Sequence, residues 1–469
     1  MLREQIQKSA KAAVLLLTIG FLCVAAAAQQ GALTVTSQDA SQLPEPNPPG
    51  GSGPPLTITL QDALDRAQKN SPVFQAAVTA LKLARENRVQ ANAAMLPAVS
   101  YRTEYLNTQG NGISPVGRFV TNDGVHVYRA WGVVSENMPG SFFIKAGPRS
   151  AAYLEAEARA NREIAQRGLN VTVTTDYYAV VVAEREYATA QQTAAGAQRF
   201  VQIAEALERG GEVAQADVIR FQLQANQAEQ SLENAKVAMS ASRLNLAVLI
   251  FPTLNQDFTV VDDLGTPPVL PAFHEIQALA QHNNPQIRAA LAAYHQAGLN
   301  VSVARSAFYP SISLQLDYGI EANAFALESV NLTAPRVRQP NLGYFATYSV
   351  NLPIWDWGAL RSKLHQAEDQ RSLAKLNFSF AQRQLLSQLY MFYNEAESSS
   401  RQLDTLRNSA RLAARNLQLV TMQYKAGEAN VLSVLDAENS LATAKNAYAA
   451  GEARYRTALA TLQTLTGSF

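Results

Sequence analysis

Two stretches of this 469-residue sequence carry an uninterrupted seven-residue hydrophobic repeat. In the first, Val218, Ala225, Leu232, Met239 and Leu246 recur every seven positions, with Phe221, Ala228, Ala235, Ser242 and Leu249 three further on. In the second, Val434, Leu441, Tyr448, Tyr455 and Leu462 interleave with Ala437, Ala444, Gly451, Ala458 and Leu465. Four heptads without a slip predict coiled-coil packing, and the small residues at the second position let helix axes approach closely. The segment ahead of the second repeat offers a partner seam in Leu403, Leu406, Ala410, Ala413, Leu417, Val420 and Tyr424. Gly211 and Gly427 stand where each pair must turn, so each pair is expected to fold into an antiparallel helical hairpin.

Elsewhere the period drops to two. Ile312, Leu314, Leu316 and Tyr318 alternate with Ser311, Ser313, Gln315, Asp317 and Gly319, and Tyr344, Ala346, Tyr348, Val350 and Leu352 alternate with Phe345, Thr347, Ser349 and Asn351. Val99, Tyr101, Thr103 and Tyr105 alternate with Ser100, Arg102 and Glu104, and a noisier fourth segment runs through Val127, Trp131 and Val133. One apolar, aromatic-rich face and one mostly polar face predict half-buried strands. Each has roughly ten residues, enough for a tilted strand to cross a bilayer. The connections at about 109–124 and 321–342 are too long for tight hairpins and suit the outer side of a barrel.

These elements occur twice because the chain is duplicated. AQKNSPVFQAA around Pro72 recurs as AQHNNPQIRAA around Pro285, and ANAAMLPAVS around Pro97 recurs as ARSAFYPSIS around Pro310, both 213 positions apart. RGGEVAQADV around Gly211 recurs as KAGEANVLSV around Gly427 at an offset of 216. The predicted first repeat covers 56–255, with strands at about 98–108 and 125–136 and a helical hairpin at 148–250. The second covers 256–469, with strands at about 311–320 and 343–352 and a hairpin at 358–466. The first helix of each hairpin would run about 90–100 Å at 1.5 Å per residue, far beyond an ordinary globular core.

Residues 1–28 read as a secretory signal peptide: Arg3, Lys8 and Lys11 precede an apolar run ending in Ala26, Ala27 and Ala28. Its removal takes the only cysteine, Cys23, and turns the formal charge from +1 to about −1. A Pro/Gly-rich extension follows at 29–55, holding PEPNPPGGSGPP, which can pack no core. A near-neutral chain with 16% charged residues excludes a nucleic-acid binder working by phosphate neutralisation. No other segment is a candidate transmembrane helix, so an exported chain that enters a membrane must do so as β-strands. Four strands cannot close a barrel, and an open edge in lipid leaves unpaired backbone groups, so oligomerisation is required: two copies supply eight strands and three supply twelve.

In its order of motifs the chain from about Leu56 onward resembles the TolC-like outer membrane efflux protein family. The marks are the duplicated half, the Asn-x-Pro or Asn-Pro helix starts, the approaches to Leu96-Pro97 and Tyr309-Pro310, the strand-to-helix turn NLPIWDWG with Pro353, Asp356 and Gly358, and YKAGEANVLSVLDAENSL. The resemblance implies an α+β membrane protein with four strands per protomer. A twelve-stranded transmembrane β-barrel is completed by trimerisation in the outer membrane, continuous with a long α-helical barrel of antiparallel coiled coils in the periplasm. It further implies a homotrimer in outer membrane lipid whose tip is engaged by a periplasmic adaptor and an inner-membrane RND or ABC transporter, as in multidrug efflux or type I secretion. At the tip, Asp436 matches the aspartate lining the pore constriction, and its usual acidic companion is Ser433 here. Asp217 and Tyr424 match two members of a network that holds the tip closed, while Ala429 stands where that network often has arginine.

Other residue types point to no chemistry. His126, His274, His282, His295 and His365 lack the spacing of a helical zinc site, and no phosphate loop, nucleophile elbow or H-E-x-x-H string occurs, so neither a cofactor nor an enzyme is expected. Glu155 and Glu157 among Arg159 and Arg162 suggest i,i+4 surface pairs. Trp355 and Trp357 suit either interfacial anchoring or packing of the strand-to-helix joint, with Asp356 able to cap the helix that follows. Asp436 has the alternative of an ordinary solvated helix residue beside a turn. The functional expectation is a passive exit duct; the alternative is a periplasmic coiled-coil adaptor whose alternating segments form a soluble sheet.

Overall fold

A computed structural model describes residues 56–107, 126–252, 257–266, 268–322, 325–330 and 338–467. The expected signal peptide, the Pro/Gly-rich extension and the first outer connection lie outside these residues. In chain order the elements are β1 (Leu56–Ile58), α1 (Leu60–Asn70), α2 (Pro72–Ala93), β2 (Ala98–Asn107), β3 (His126–Met138), α3 (Gly140–Phe143), α4 (Ala146–Arg209) and α5 (Gln215–Ile250). They continue with β4 (Phe258–Val260), α6 (Phe273–Asn283), α7 (Pro285–Ser306), β5 (Ser311–Ala322), β6 (Glu328–Val330), β7 (Arg338–Pro340), β8 (Leu342–Asn351), α8 (Ala359–Lys425) and α9 (Val431–Thr466).

The duplication is visible in lengths: α1 and α6 have 11 residues, α2 and α7 have 22, and α5 and α9 have 36. The long helices α4 and α8 have 64 and 67 residues and extend about 100 Å each. α5 packs along α4 and α9 along α8, while α2 and α7 cover α4 nearer the sheet. Ser71 and Asn284 cap α2 and α7, accepting from the N–H of Phe74 and Ile287, and each is followed by proline at the first helical position. Much of the seam is buried: Val218, Phe221, Ala225, Ala228 and Leu246 on α5, and Val434, Ala437, Tyr455, Ala458, Leu462 and Leu465 on α9. Close approach depends on the small residues, since a Cβ on Gly451 would lie 2.5 Å from Leu406 Cδ1.

Periodicity alone did not reveal β1 and β4. These three-residue strands pair in parallel, Leu56 opposite Phe258 and Ile58 opposite Val260. They sit on a core of Tyr177, Tyr178, Val180, Leu246, Ile250 and Leu264, where the Tyr177 hydroxyl donates to the carbonyl of Val261 at 2.7 Å. Arg185 fastens this belt to α9, with Asp262 Oδ2 at 2.6 Å on one side and Glu452 Oε2 at 2.6 Å on the other.

The main sheet has order β2-β3-β5-β8, antiparallel throughout, so β2 and β8 are open edges. The register divides it into two faces. One carries Val99, Tyr101, Tyr105, Val134, Leu314, Leu316, Tyr318, Tyr344, Tyr348 and Val350, all exposed. The other carries Ser100, Arg102, Glu104, Arg129, Gln315, Asp317 and Glu321. Arg129 lies between Glu104 and Glu321 at 3.5 and 2.9 Å, and Gln315 donates to Asp317 at 2.8 Å.

Val127, Trp131 and Val133, which announce β3 in the sequence, lie on this polar face rather than the apolar one. Trp131 is opposite Gly319, where a Cβ would lie 2.8 Å from the indole Cδ1, so the glycine leaves room for the ring, and Phe345 meets it edge-on at 5.4 Å. The connection expected at 321–342 is also partly ordered into pairs: β5 runs to Ala322, and β6 pairs antiparallel with β7. Among the described residues no helix is long and apolar enough to cross a membrane.

Candidate functional site

The end of the helical hairpins farthest from the sheet gathers the residues singled out by sequence. Both turns use the same backbone. Gly211 and Gly427 have φ of 76° and 78°, the left-handed conformation that glycine adopts without penalty. The next residue reaches back in each, Glu212 N–H donating to Leu207 and Glu428 N–H donating to Gln423, both at 2.9 Å. The starts of the return helices differ. Asn430 Oδ1 accepts from the N–H and the hydroxyl of Ser433 at 2.9 and 2.8 Å, whereas α5 begins after Ala214 with no side-chain cap.

Tyr424 is buried among Phe200, Phe221, Val431 and Val434, its ring edge-on to Phe221 at 5.9 Å. Its hydroxyl has no hydrogen-bond partner, and burial, reinforced by the charge of Asp217, pushes it above the usual phenol range. Asp217 is half-buried and faces Arg220 Nη1 at 3.5 Å. The structure thus brings Tyr424 and Asp217 into electrostatic reach without a hydrogen bond between them. Ala429, at the position of the missing arginine, packs against the same apolar cluster. Asp436 is exposed, one turn beyond Ser433, and forms no hydrogen bond or ion pair among the described residues.

Sequence reasoning missed Glu438. Only 7% exposed, it sits against Gly196 of α4, where a Cβ would come within 3.1 Å of its Oε1. Its Oε2 is unpartnered, and burial alone pushes the carboxyl up to about 7. The available signal was faint: a glutamate following the seam residue Ala437, and a glycine inside the long helix opposite. Glu155 also departs from expectation. It does pair i,i+4 with Arg159 at 2.9 Å, but it is buried rather than on the surface and also meets Arg88 of α2 at 3.0 Å, a contact that holds its carboxyl below the usual range.

At the opposite end, Pro353 leads from β8 into the joint, where Asp356 Oδ1 and Oδ2 accept from the N–H of Gly358 and Leu360 at 3.0 and 2.6 Å. Gly358 has φ 85° and, unusually for a residue with a side chain, Trp357 has φ 58°. Trp355 and Trp357 touch edge-on at 5.6 Å and are 75% and 89% exposed, so they pack neither strand nor helix.

An open four-stranded sheet with one apolar face, standing on two long helical hairpins with matched glycine turns, is the architecture of a TolC-type fold. Residues 277–468 match the family model described as outer membrane efflux protein. The chain is 26% identical over 407 residues to the pyoverdine export outer membrane protein OpmQ of Pseudomonas putida, covering 82% of this chain and 81% of that one. It is 25% identical over 403 residues to the outer membrane efflux protein BepC of Brucella suis, covering 82% and 80%. The fold matches the open-state MtrE outer membrane channel of Neisseria gonorrhoeae with a TM-score of 0.73 at 21% identity, over 87% of this chain and 89% of that chain. The second half of the chain thus matches the outer membrane efflux protein model, and the chain as a whole is similar in sequence to outer membrane export and efflux proteins and in fold to outer membrane channels.

Proposed function

We propose that this chain is one protomer of a homotrimeric exit duct of the outer membrane, passing substrates outward from a periplasmic adaptor and an inner-membrane RND or ABC pump. The observation that carries the reading is the pair of open edges on a sheet whose outward face is apolar. In each ten-residue edge strand half the backbone groups point away from the sheet, about ten per edge, and each costs several kcal/mol if left unpaired in hydrocarbon. Pairing β2 of one copy with β8 of the next removes that cost, and three copies give twelve strands around a polar lumen. A periplasmic adaptor with a soluble sheet would have no use for the exposed tyrosines and leucines of the outer face.

The duct does no chemistry; its work is to open. The hairpins ending at Gly211 and Gly427 would move relative to one another when the adaptor engages them. Three copies of Asp436 around a narrow axis would attract cations, with Ser433 adding no charge. Detergent-extracted protein should run as a trimer and conduct in planar bilayers; a soluble, non-conducting monomer refutes the duct. Asp436→Ala should weaken cation preference and divalent block, and unchanged values would make Asp436 an ordinary solvated residue.

A further inference from the structure

The apolar outer face of the sheet continues downward into a groove. Between the start of β5, the end of β8 and helices α3 and α7 lies a cleft of about 550 Å³, with Phe143, Tyr309, Ile312, Tyr348 and Val350 in its walls and Arg305 as its one charged residue. Such a volume is in the range of small-molecule clefts. Ile312 pairs with Val350 and Leu314 with Tyr348, so these walls belong to the outward face and the cleft opens onto the surface that hydrocarbon would cover.

Arg305 is exposed in the last turn of α7 and has no ion pair or hydrogen bond among the described residues. In contrast, Arg88, Arg159 and Arg288, farther from the sheet, each hold a carboxylate. The surrounding chain is basic. Residues 138–154, with Lys145 and Arg149, and residues 299–313 contain no aspartate or glutamate. Beyond β8 the acid nearest Arg361 in sequence is Asp356, already engaged as a helix cap. At the same joint Ile354 and Trp357 are both 89% exposed, as interfacial side chains are.

We propose that this groove is a phospholipid site of the inner leaflet of the outer membrane, one acyl chain lying along Phe143, Ile312 and Tyr348 with the lipid phosphate on the Arg305 guanidinium. The inference rests on the duct reading, which puts this face in the membrane. The groove supplies what a headgroup–chain pair needs: an apolar trough open to the hydrocarbon and an unpaired cation at its lower end.

The test is native mass spectrometry of the detergent-purified protein titrated with phosphatidylglycerol, comparing wild type with Arg305→Gln and with Ser302→Trp, which fills the trough from an exposed helical position. The expected result is saturable binding weakened about fivefold or more by either variant, with inorganic phosphate a poor competitor. Equal binding by both variants overturns the site, and so does full displacement by inorganic phosphate, which would mark a simple anion site. Conductance of Arg305→Gln in planar bilayers separates the two readings. A conducting variant with unchanged lipid binding removes the lipid site and leaves the duct standing, while a wild type that never conducts removes the duct itself.

Discussion

Replacing Glu438 by glutamine tests whether the tip is loosened by its own buried acid. The carboxyl rises from its ordinary 4.5 to about 7 because it is held between α9 and α4. Below about pH 4.5 the folded and unfolded chains both hold the proton. Between about 4.5 and 7 only the folded chain does, so stability declines as pH rises through that window and levels off above it. At about 1.4 kcal/mol per unit the whole shift corresponds to at most about 3.5 kcal/mol, and relaxation of the hairpins toward water reduces the expected effect to about 1–2 kcal/mol. Glutamine is never charged and should abolish the slope.

Amide hydrogen exchange reads this locally. In residues 431–441 and 194–204 of the purified wild type, protection corrected for intrinsic exchange should fall about three- to eightfold between about pH 5.5 and pH 8. Glu438→Gln should stay at the acid-side value throughout. A wild type whose tip protection does not change with pH, or a glutamine variant that follows the wild-type curve, refutes the argument.

Three further substitutions probe the parts that position the tip and the lumen. Gly319→Ala would put a Cβ 2.0 Å from the carbonyl oxygen of Ala130 and 2.8 Å from Trp131 Cα; overpacking of about 3 kcal/mol or more at the joint between the two repeats should deplete folded protein from outer membrane fractions. Phe221→Ala removes a fully buried ring stacked on Phe200 at 5.7 Å and should cost about 3–5 kcal/mol, seen as faster exchange in 194–204 and 431–434. Asp356→Ala removes two accepted N–H bonds at the start of α8 and should cost about 1 kcal/mol, with Asp356→Asn restoring much of it in the same exchange measurement.

What the sequence displayed was whatever repeats. Heptad seams, strand alternation and matched glycine turns are periodic, and a periodic pattern identifies an element without knowledge of its neighbours. Contacts between distant residues were hidden. β1 and β4 have three residues each and are 202 positions apart, so neither has a period to read. Glu155 looked like a surface residue because its i,i+4 arginine is local, whereas Arg88, which helps bury it, comes from another helix. β3 misled for a related reason: an indole is lodged on a polar face when a glycine stands opposite it on the next strand, and only the register brings Trp131 and Gly319 into line.

The duplicated tip raises a question of charge that the two halves answer differently. Asp217 and Ser433 occupy equivalent places after the glycine turns, at the offset of 216. Ser433 spends its hydroxyl on the Asn430 cap at 2.8 Å, and Asp217 is set against Arg220 at 3.5 Å. Glu438 is buried against α4. Of the acids at the start of the two return helices, Asp436 therefore stands alone as exposed and unneutralised. If a cation-selective ring exists, it carries one charge per protomer rather than two, and Asp217→Ala should alter cation preference far less than Asp436→Ala. Equal effects from the two substitutions would mean that Arg220 swings away from Asp217 in the assembled tip and that the ring draws on both hairpins.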